Sequence, residues 1–299
     1  MSGITCIALI GFGEVGQILA DDLVEQNSGA IAAWDVKFPF PDSPPARAIA
    51  SRPLRRASDA VDAVYGADMI ISAVTAEQTV QAAKAVAFGL RAGAFFFDLN
   101  SASPGQKREA AGAIEAAGGR YVEGAVMSPV PPKRIGSPIL LGGSHAELFL
   151  APAQALGFSG LSVFSEELGP ASAAKMCRSV IVKGIEALLA ESLLTARHFN
   201  VEDTVLASLD DFLPGPDWRK LAKYMMSRSI EHGRRRAEEM REVARTVAEA
   251  GLSPLMSAAC AERQEWAPQF AAALGQETLK ELLQAVLDRL VHPEEKKAS

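Results

Sequence analysis

With 299 residues and 48 % hydrophobic side chains, the chain is long enough for two domains with a sizeable core. Its net charge of −6 leaves no electrostatic footprint for nucleic acid, and no uninterrupted apolar stretch of about 18 residues is present to span a membrane. Cys6, Cys177 and Cys260 are odd in number and far apart, matching neither a zinc site nor a secreted disulfide framework; a reducing cytoplasm and no metal are expected, with Cys177 packed in the core.

Ile4, Cys6, Ile7, Ala8, Leu9 and Ile10 make a short apolar run, read as a buried strand. It has no basic flank and is not read as a signal peptide. It leads into Gly11-Phe12-Gly13-Glu14-Val15-Gly16 and then a helix over 17–27, with Ile18, Leu19 and Leu23 on one face. A strand, G-x-G-x-x-G and a helix suit a dinucleotide pyrophosphate. Gly11 allows the tight turn, Gly13 the approach of the phosphates, and Gly16 the packing of helix on strand. The helix start adds free N–H groups and the positive dipole end. A second strand over 30–34 ends at Asp35, nineteen residues after Gly16. A carboxylate there accepts from the adenosine ribose hydroxyls and repels a 2′-phosphate, favouring NAD over NADP. Lys37 and Arg47 follow closely and partly offset that repulsion.

A Pro-rich loop over 38–45 precedes helices at 46–51 and 58–65. A buried strand over 68–74 brings Ala73, Val74 and Thr75 to the cofactor as further candidate contacts. Helices at 76–89 and 104–117 then alternate with strands at 94–98, 120–122 and 138–141. This alternation predicts an α/β fold, a Rossmann-type and mostly parallel sheet covered on both faces, assigned to residues 1–168. From 171 to 199 the chain reads as one long helix, apolar around most of its circumference and therefore buried. A second runs from Pro216 to about 250, stopped by Gly251, and others cover 253–273 and 276–291. Residues 169–299 are expected to form an all-helical domain for substrate and dimerisation, joined through the long interdomain helix, with a charged tail at 293–299 that frays.

Three segments carry candidate chemistry. Asp98-Leu99-Asn100-Ser101-Ala102-Ser103-Pro104 lies at the carboxyl end of a strand, where open α/β sheets bind ligands, and Asn100 and Ser101 both donate and accept hydrogen bonds. Gly124-Ala125-Val126-Met127-Ser128-Pro129-Val130-Pro131-Pro132 is a rigid turn in which the prolines offer no N–H. In Gly169-Pro170-Ala171-Ser172-Ala173-Ala174-Lys175-Met176-Cys177-Arg178-Ser179, helical spacing puts Lys175 and Ser179 one turn apart on one face, with Lys183 and Glu186 close to it. A polar strip on so apolar a helix requires a polar neighbour.

Together with the glycine fingerprint, these segments resemble the β-hydroxyacid dehydrogenase family, which includes 6-phosphogluconate dehydrogenase and 3-hydroxyisobutyrate dehydrogenase. The family patterns are D-x-S-T-x-x-P, D-A-P-V-S-G-G and G-x-G-x-x-x-K-x-x-x-N. The helical C-terminal region resembles an uncharacterised branch. The resemblance implies that Asn100 contacts both substrate and nicotinamide, that Ser101 and Ser128 contact substrate, and that Lys175 is the catalytic lysine. Ser179 stands in for the family asparagine, and Glu186 is a second acid. Pro129 and Val130 replace the two glycines of the second pattern, so the substrate pocket departs from the standard one. The helical domain closes the cleft in this family, which makes His232 or Arg235 a candidate reader of the substrate acid. The function so implied is an NAD(P)-dependent oxidoreductase of a small hydroxy acid or its carbonyl counterpart, acting as a homodimer or tetramer. The alternatives are an imine-type reductase on the same scaffold and a non-catalytic dinucleotide-binding protein.

Overall fold

The computed structural model describes residues 4–291; the 293–299 tail lies outside them. The chain divides into two compact units, Met1–Cys177 and Arg178–Ser299. In the first, β1 (Cys6–Ile10), β2 (Ala30–Trp34), β3 (Arg55–Arg56), β4 (Met69–Ser72), β5 (Phe95–Asp98), β6 (Arg120–Val126), β7 (Ile139–Gly142) and β8 (Leu161–Ser165) form one sheet. Its order is β3-β2-β1-β4-β5-β6-β7-β8. Strands β1 to β6 are parallel, β7 runs antiparallel to β6, and β8 is parallel to β7.

Alternate residues of each central strand feed two separate cores, because successive side chains of a strand point to opposite faces. Ile7, Leu9, Met69, Ile71, Phe95 and Phe97 pack on one side with Leu19 and Leu23 of α1 (Glu14–Glu25) and Phe149 of α6 (Ala146–Ala155). Ala8, Ile10, Ile70 and Phe96 pack on the other. There they meet α3 (Ala60–Val64), α4 (Thr79–Ala87) and α5 (Pro104–Ala116), while α2 (Pro44–Ala50) adds Ile49 to the first face. Burial on both faces is why these strands read as continuous apolar runs. Each buried Leu, Ile or Phe contributes about 1.5–3 kcal/mol, so these rows hold the sheet.

Four elements are not among those expected from the sequence. Arg55 and Arg56 of β3 are exposed and join the sheet only through the backbone. Helix α6 runs through Pro152, which punctuates most helices. β8 is an edge strand with Phe164 exposed. The fourth, α8 (Glu202–Phe212), lies in the second unit.

In that unit α7 (Pro170–His198), α8, α9 (Trp218–Glu249), α10 (Leu255–Trp266) and α11 (Leu279–Val291) surround one core. Leu189, Leu193 and Leu194 of α7 pack there with Met226, Ile230, Phe270, Leu282 and Leu283. Asp217 rather than Pro216 starts α9, its carboxylate accepting from the Lys220 N–H at 3.0 Å. Gly251, at φ +79°, follows its end. The apolar circumference of α7 is not buried all round: Ile181 and Leu188 are 66 % and 60 % exposed. The division between units falls inside α7, whose start is bonded to β6.

Candidate functional site

Chain order runs outward in opposite directions from β1 and β4, so the crevice of the sheet opens at their carboxyl ends. The glycine loop follows β1 there, and its three glycines serve three different needs. Gly11 sits at φ +91°, and a Cβ on it would lie 2.5 Å from the Ala73 carbonyl oxygen. A Cβ on Gly16 would lie 2.2 Å from the Gly11 oxygen, so α1 packs against the turn only without a side chain. A Cβ on Gly13 would meet nothing within 4 Å. Gly13 is the N-cap of α1 and offers no capping side chain, so the first N–H groups of the helix face the loop. This donor set fits a pyrophosphate: oriented backbone N–H groups, a helix dipole, and no Cβ in the way. Phe12 is buried edge-on against Phe38. Asp35 accepts from the Phe12 N–H at 2.7 Å and the Lys37 N–H at 2.8 Å, tying the end of β2 to the loop.

The next strand ends are held by a buried polar cluster. The Asn100 side chain, 3 % exposed, accepts from the Val74 N–H at 2.7 Å and donates to the Ser72 hydroxyl at 3.0 Å. Its amide therefore joins the β4 and β5 loops to each other. Its backbone N–H donates to Asp98 at 2.9 Å. Asp98 is ion-paired with Lys107 at 2.9 Å and accepts from the Tyr121 hydroxyl at 2.6 Å, all three fully buried. Lys107 also donates to the Asp98 carbonyl at 3.0 Å. Burial first, and then the Asp98 charge, push the Tyr121 hydroxyl well above its ordinary range, so it remains a donor. Lys107 and Tyr121 are missed by sequence reasoning, since nothing in a helical lysine or a strand tyrosine names its partner.

Ser101 follows Asn100 and meets α7: the Lys175 Nζ donates to its hydroxyl oxygen at 2.6 Å. The start of α7 is anchored by Glu123 of β6, which accepts from the Gly169 and Ser172 N–H groups, each at 2.7 Å. The sequence signal for Glu123 is an acid inside an apolar strand, a placement that demands a partner. Cys177, expected in the core, is exposed instead, because helical phase turns it away from the buried Met176. The Ser128 hydroxyl donates to the Pro129 carbonyl at 3.1 Å. Its loop is pinned further along, where buried Asp22 of α1 accepts from Arg134 at 2.6 Å and from the Ile135 N–H at 2.9 Å.

Ser179, Glu186 and His232 lie in the second unit. Ser179 is buried. Glu186, 2 % exposed, pairs with Arg236 and accepts from Gln264 Nε2 at 2.9 Å, so its carboxylate is engaged between α7, α9 and α10. Lys183 pairs with Glu239 at 2.8 Å, and Glu239 also pairs with Arg235. His232 lies 3.1 Å from Glu231. Its imidazole titrates below its ordinary value, first through burial and then through the Arg228 charge. In the first unit, by contrast, the glycine loop, Asp35, Ala73 to Thr75, Asn100, Ser101 and Lys175 all gather at the carboxyl ends of the central strands.

A parallel sheet with this crevice and this glycine loop defines a Rossmann-type dinucleotide-binding domain followed by a helical unit. Residues 6–156 match the NAD binding domain of 6-phosphogluconate dehydrogenase, and residues 196–267 match a domain of unknown function, DUF1932. The chain belongs to the 6-phosphogluconate dehydrogenase-like family of NAD-binding proteins. A conserved hypothetical protein from Sinorhizobium meliloti 1021 is 38 % identical, over 96 % of this chain and 97 % of its own, with a TM-score of 0.75. The conserved protein MTH1747, of unknown function and described as structurally similar to 3-hydroxyacid dehydrogenases, is 30 % identical over 94 % and 98 %, with a TM-score of 0.67. A Mycobacterium tuberculosis 3-hydroxyisobutyrate dehydrogenase, solved with L-serine, shares the fold at 18 % identity over 95 % and 99 %, with a TM-score of 0.70. The family match supports an NAD(P)-binding oxidoreductase.

Proposed function

We propose that this protein is an NAD-preferring oxidoreductase acting on a small hydroxy acid or its carbonyl counterpart, with Lys175 as general acid and base. The observation that carries the reading is the 2.6 Å contact of Lys175 with Ser101, at the carboxyl ends of the strands, where the glycine loop also lies. The dinucleotide, when bound, supplies or takes up the hydride. The Gly11–Gly16 backbone and the start of α1 are the groups suited to its pyrophosphate, with Asp35 suited to the adenosine ribose. The Asp35 charge disfavours a 2′-phosphate, which supports NAD over NADP.

Lys175 passes the proton at the substrate oxygen: its neutral amine receives that proton in oxidation and its ammonium returns it in reduction. Ser101 accepts from Lys175 and keeps its own O–H to donate onward, which orients the oxygen between them. Glu186 is engaged with Arg236 and Gln264, and this reading gives it the task of fixing α7 rather than moving a proton. The loop after β6 supports a departure from the family's standard acids, because Pro129, Pro131 and Pro132 offer no N–H to a carboxylate. Self-association as a homodimer or tetramer belongs to the same reading, supported by Ile181 and Leu188, exposed seven residues apart on α7. An imine-type reductase is less well supported, since the lysine is retained.

The test is Lys175→Met, assayed with NAD and a panel of 2- and 3-hydroxy acids. NADH affinity is expected to stay within twofold while turnover falls about 10²–10⁴-fold, the usual contribution of a positioned acid–base group. Preserved turnover refutes the assignment.

A further inference from the structure

We infer that Glu123 is a positioning residue for Lys175, acting through the start of α7; the inference rests on the reading of Lys175 as the acid–base group. Glu123 is fully buried in β6. Its two oxygens divide between two backbone donors: Oε2 accepts from Gly169 N–H and Oε1 from Ser172 N–H, both at 2.7 Å. Charge-assisted bonds of this length are about twice as strong as neutral ones. The positive end of the α7 dipole lies at the same place.

The surroundings are shaped for that carboxylate. Gly142 of β7 stands opposite Glu123 in the sheet register, and a Cβ there would lie 2.5 Å from Oε2. Gly169 turns the chain into the helix at φ +114°, and Pro170 opens the first turn. The Ser172 hydroxyl donates back to the Gly169 carbonyl at 3.0 Å, closing the turn on itself.

Two N–H groups three residues apart, held by one carboxylate, fix both the axial position of the helix and its rotation. Lys175 follows Ser172 by three residues, so the phase set at Ser172 is the phase at which the lysine leaves the helix. The Lys175–Ser101 contact of 2.6 Å therefore depends on an acid that touches neither residue. A displacement near 1 Å at a reacting group costs on the order of 10²-fold in rate.

Two variants test this. Glu123→Gln keeps the shape but turns an NH₂ group towards one of the two donors. Gly142→Ala keeps the carboxylate and pushes it from the sheet side, which serves if Glu123→Gln does not fold. Crystal structures of both are expected to show the Lys175 Nζ–Ser101 Oγ separation lengthened by about 1 Å. An unchanged contact in a variant whose Glu123 bonds are broken overturns the inference. In the hydroxy-acid panel with NAD, kcat is expected to fall about 10–100-fold with the KM for NAD within twofold. A lowered melting temperature with kcat per folded molecule unchanged shows a merely structural role and also overturns it. If the wild type turns over none of the panel, the proposed activity fails, while the crystallographic distance still decides whether Glu123 sets the position of Lys175.

Discussion

Replacing each glycine of the Gly11–Gly16 loop by alanine separates what the fold requires from what the ligand requires. At Gly11 the new Cβ would sit 2.5 Å from a backbone oxygen, at φ +91°. The left-handed backbone costs about 1–2 kcal/mol and overpacking about 1–3 kcal/mol, so Gly11→Ala is expected to lose about 2–5 kcal/mol of stability. Gly16→Ala meets the Gly11 oxygen at 2.2 Å and loses a comparable packing contribution without the left-handed one. Gly13 is different. Its backbone, at φ −75° and ψ −161°, is extended and open to any residue, and its Cβ meets nothing within 4 Å. Reduced freedom of the unfolded chain favours alanine by about 0.4–1 kcal/mol, and the poorer N-cap opposes it by a similar amount. Stability of Gly13→Ala should therefore stay within about 1 kcal/mol of wild type. If the dinucleotide binds as proposed, this Cβ stands in the path of its phosphates, and NADH affinity should fall at least about tenfold, or 1.4 kcal/mol. Urea unfolding measures the first quantity and NADH fluorescence titration the second. A Gly13→Ala protein that binds NADH as wild type, or a Gly16→Ala protein as stable as wild type, refutes the division of labour.

Lys107→Met leaves Asp98 buried without its cation, and breaking such a pair costs about 3–5 kcal/mol; a loss under about 1 kcal/mol in urea unfolding contradicts the pairing. His232 carries a pH signature. Its folded pKa is depressed below 6.5, mainly by burial and then by Arg228, so above that value both states are neutral and nothing is lost. As pH falls below it, the unfolded chain takes the proton more readily and stability declines towards the folded pKa. His232→Gln should flatten that decline, and an unchanged slope counts against the burial. Asp35→Ser removes the charge that repels a 2′-phosphate and should lower the NADPH-to-NADH dissociation-constant ratio several-fold; an unchanged ratio places the discrimination elsewhere.

The parts of the site legible in sequence are those whose causes are contiguous. Gly11 and Gly16 are read correctly as a turn and a packing contact because strand, loop and helix follow within one short segment. The buried strands announce themselves as apolar runs because both faces are covered. Asn100 shows the limit. Its type and place at the end of β5 were readable, but the direction of its amide was not, since Val74 and Ser72 lie 26 and 28 residues away. Lys107 and Tyr121 find Asp98 only once the sheet brings α5 and β6 beside β5. Exposure was the least legible quantity: Cys177, Ile181 and Leu188 are apolar by type, yet helical phase leaves them outside.

A common device underlies the geometry at this end of the sheet. Asp35 beyond β2, Asp98 ending β5 and Glu123 within β6 each direct a carboxylate at backbone N–H groups of a segment that carries the site: Phe12, Asn100, and the Gly169–Ser172 turn. Loops beyond a strand end have lost their ladder partners, so their N–H groups need acceptors from elsewhere. A carboxylate supplies two oxygens and charge-assisted strength where an amide or hydroxyl supplies one weaker acceptor. At Asp98 and Glu123 burial then makes the arrangement hard to exchange: removing either acid strands donors in a dry interior at about 1–3 kcal/mol each. These bonds add to those the segments make with one another, Asn100 with Val74 and Lys175 with Ser101. The loop that holds Pro129 and Val130 after β6 takes no part in these bonds, so a change there leaves the glycine loop and Lys175 in place.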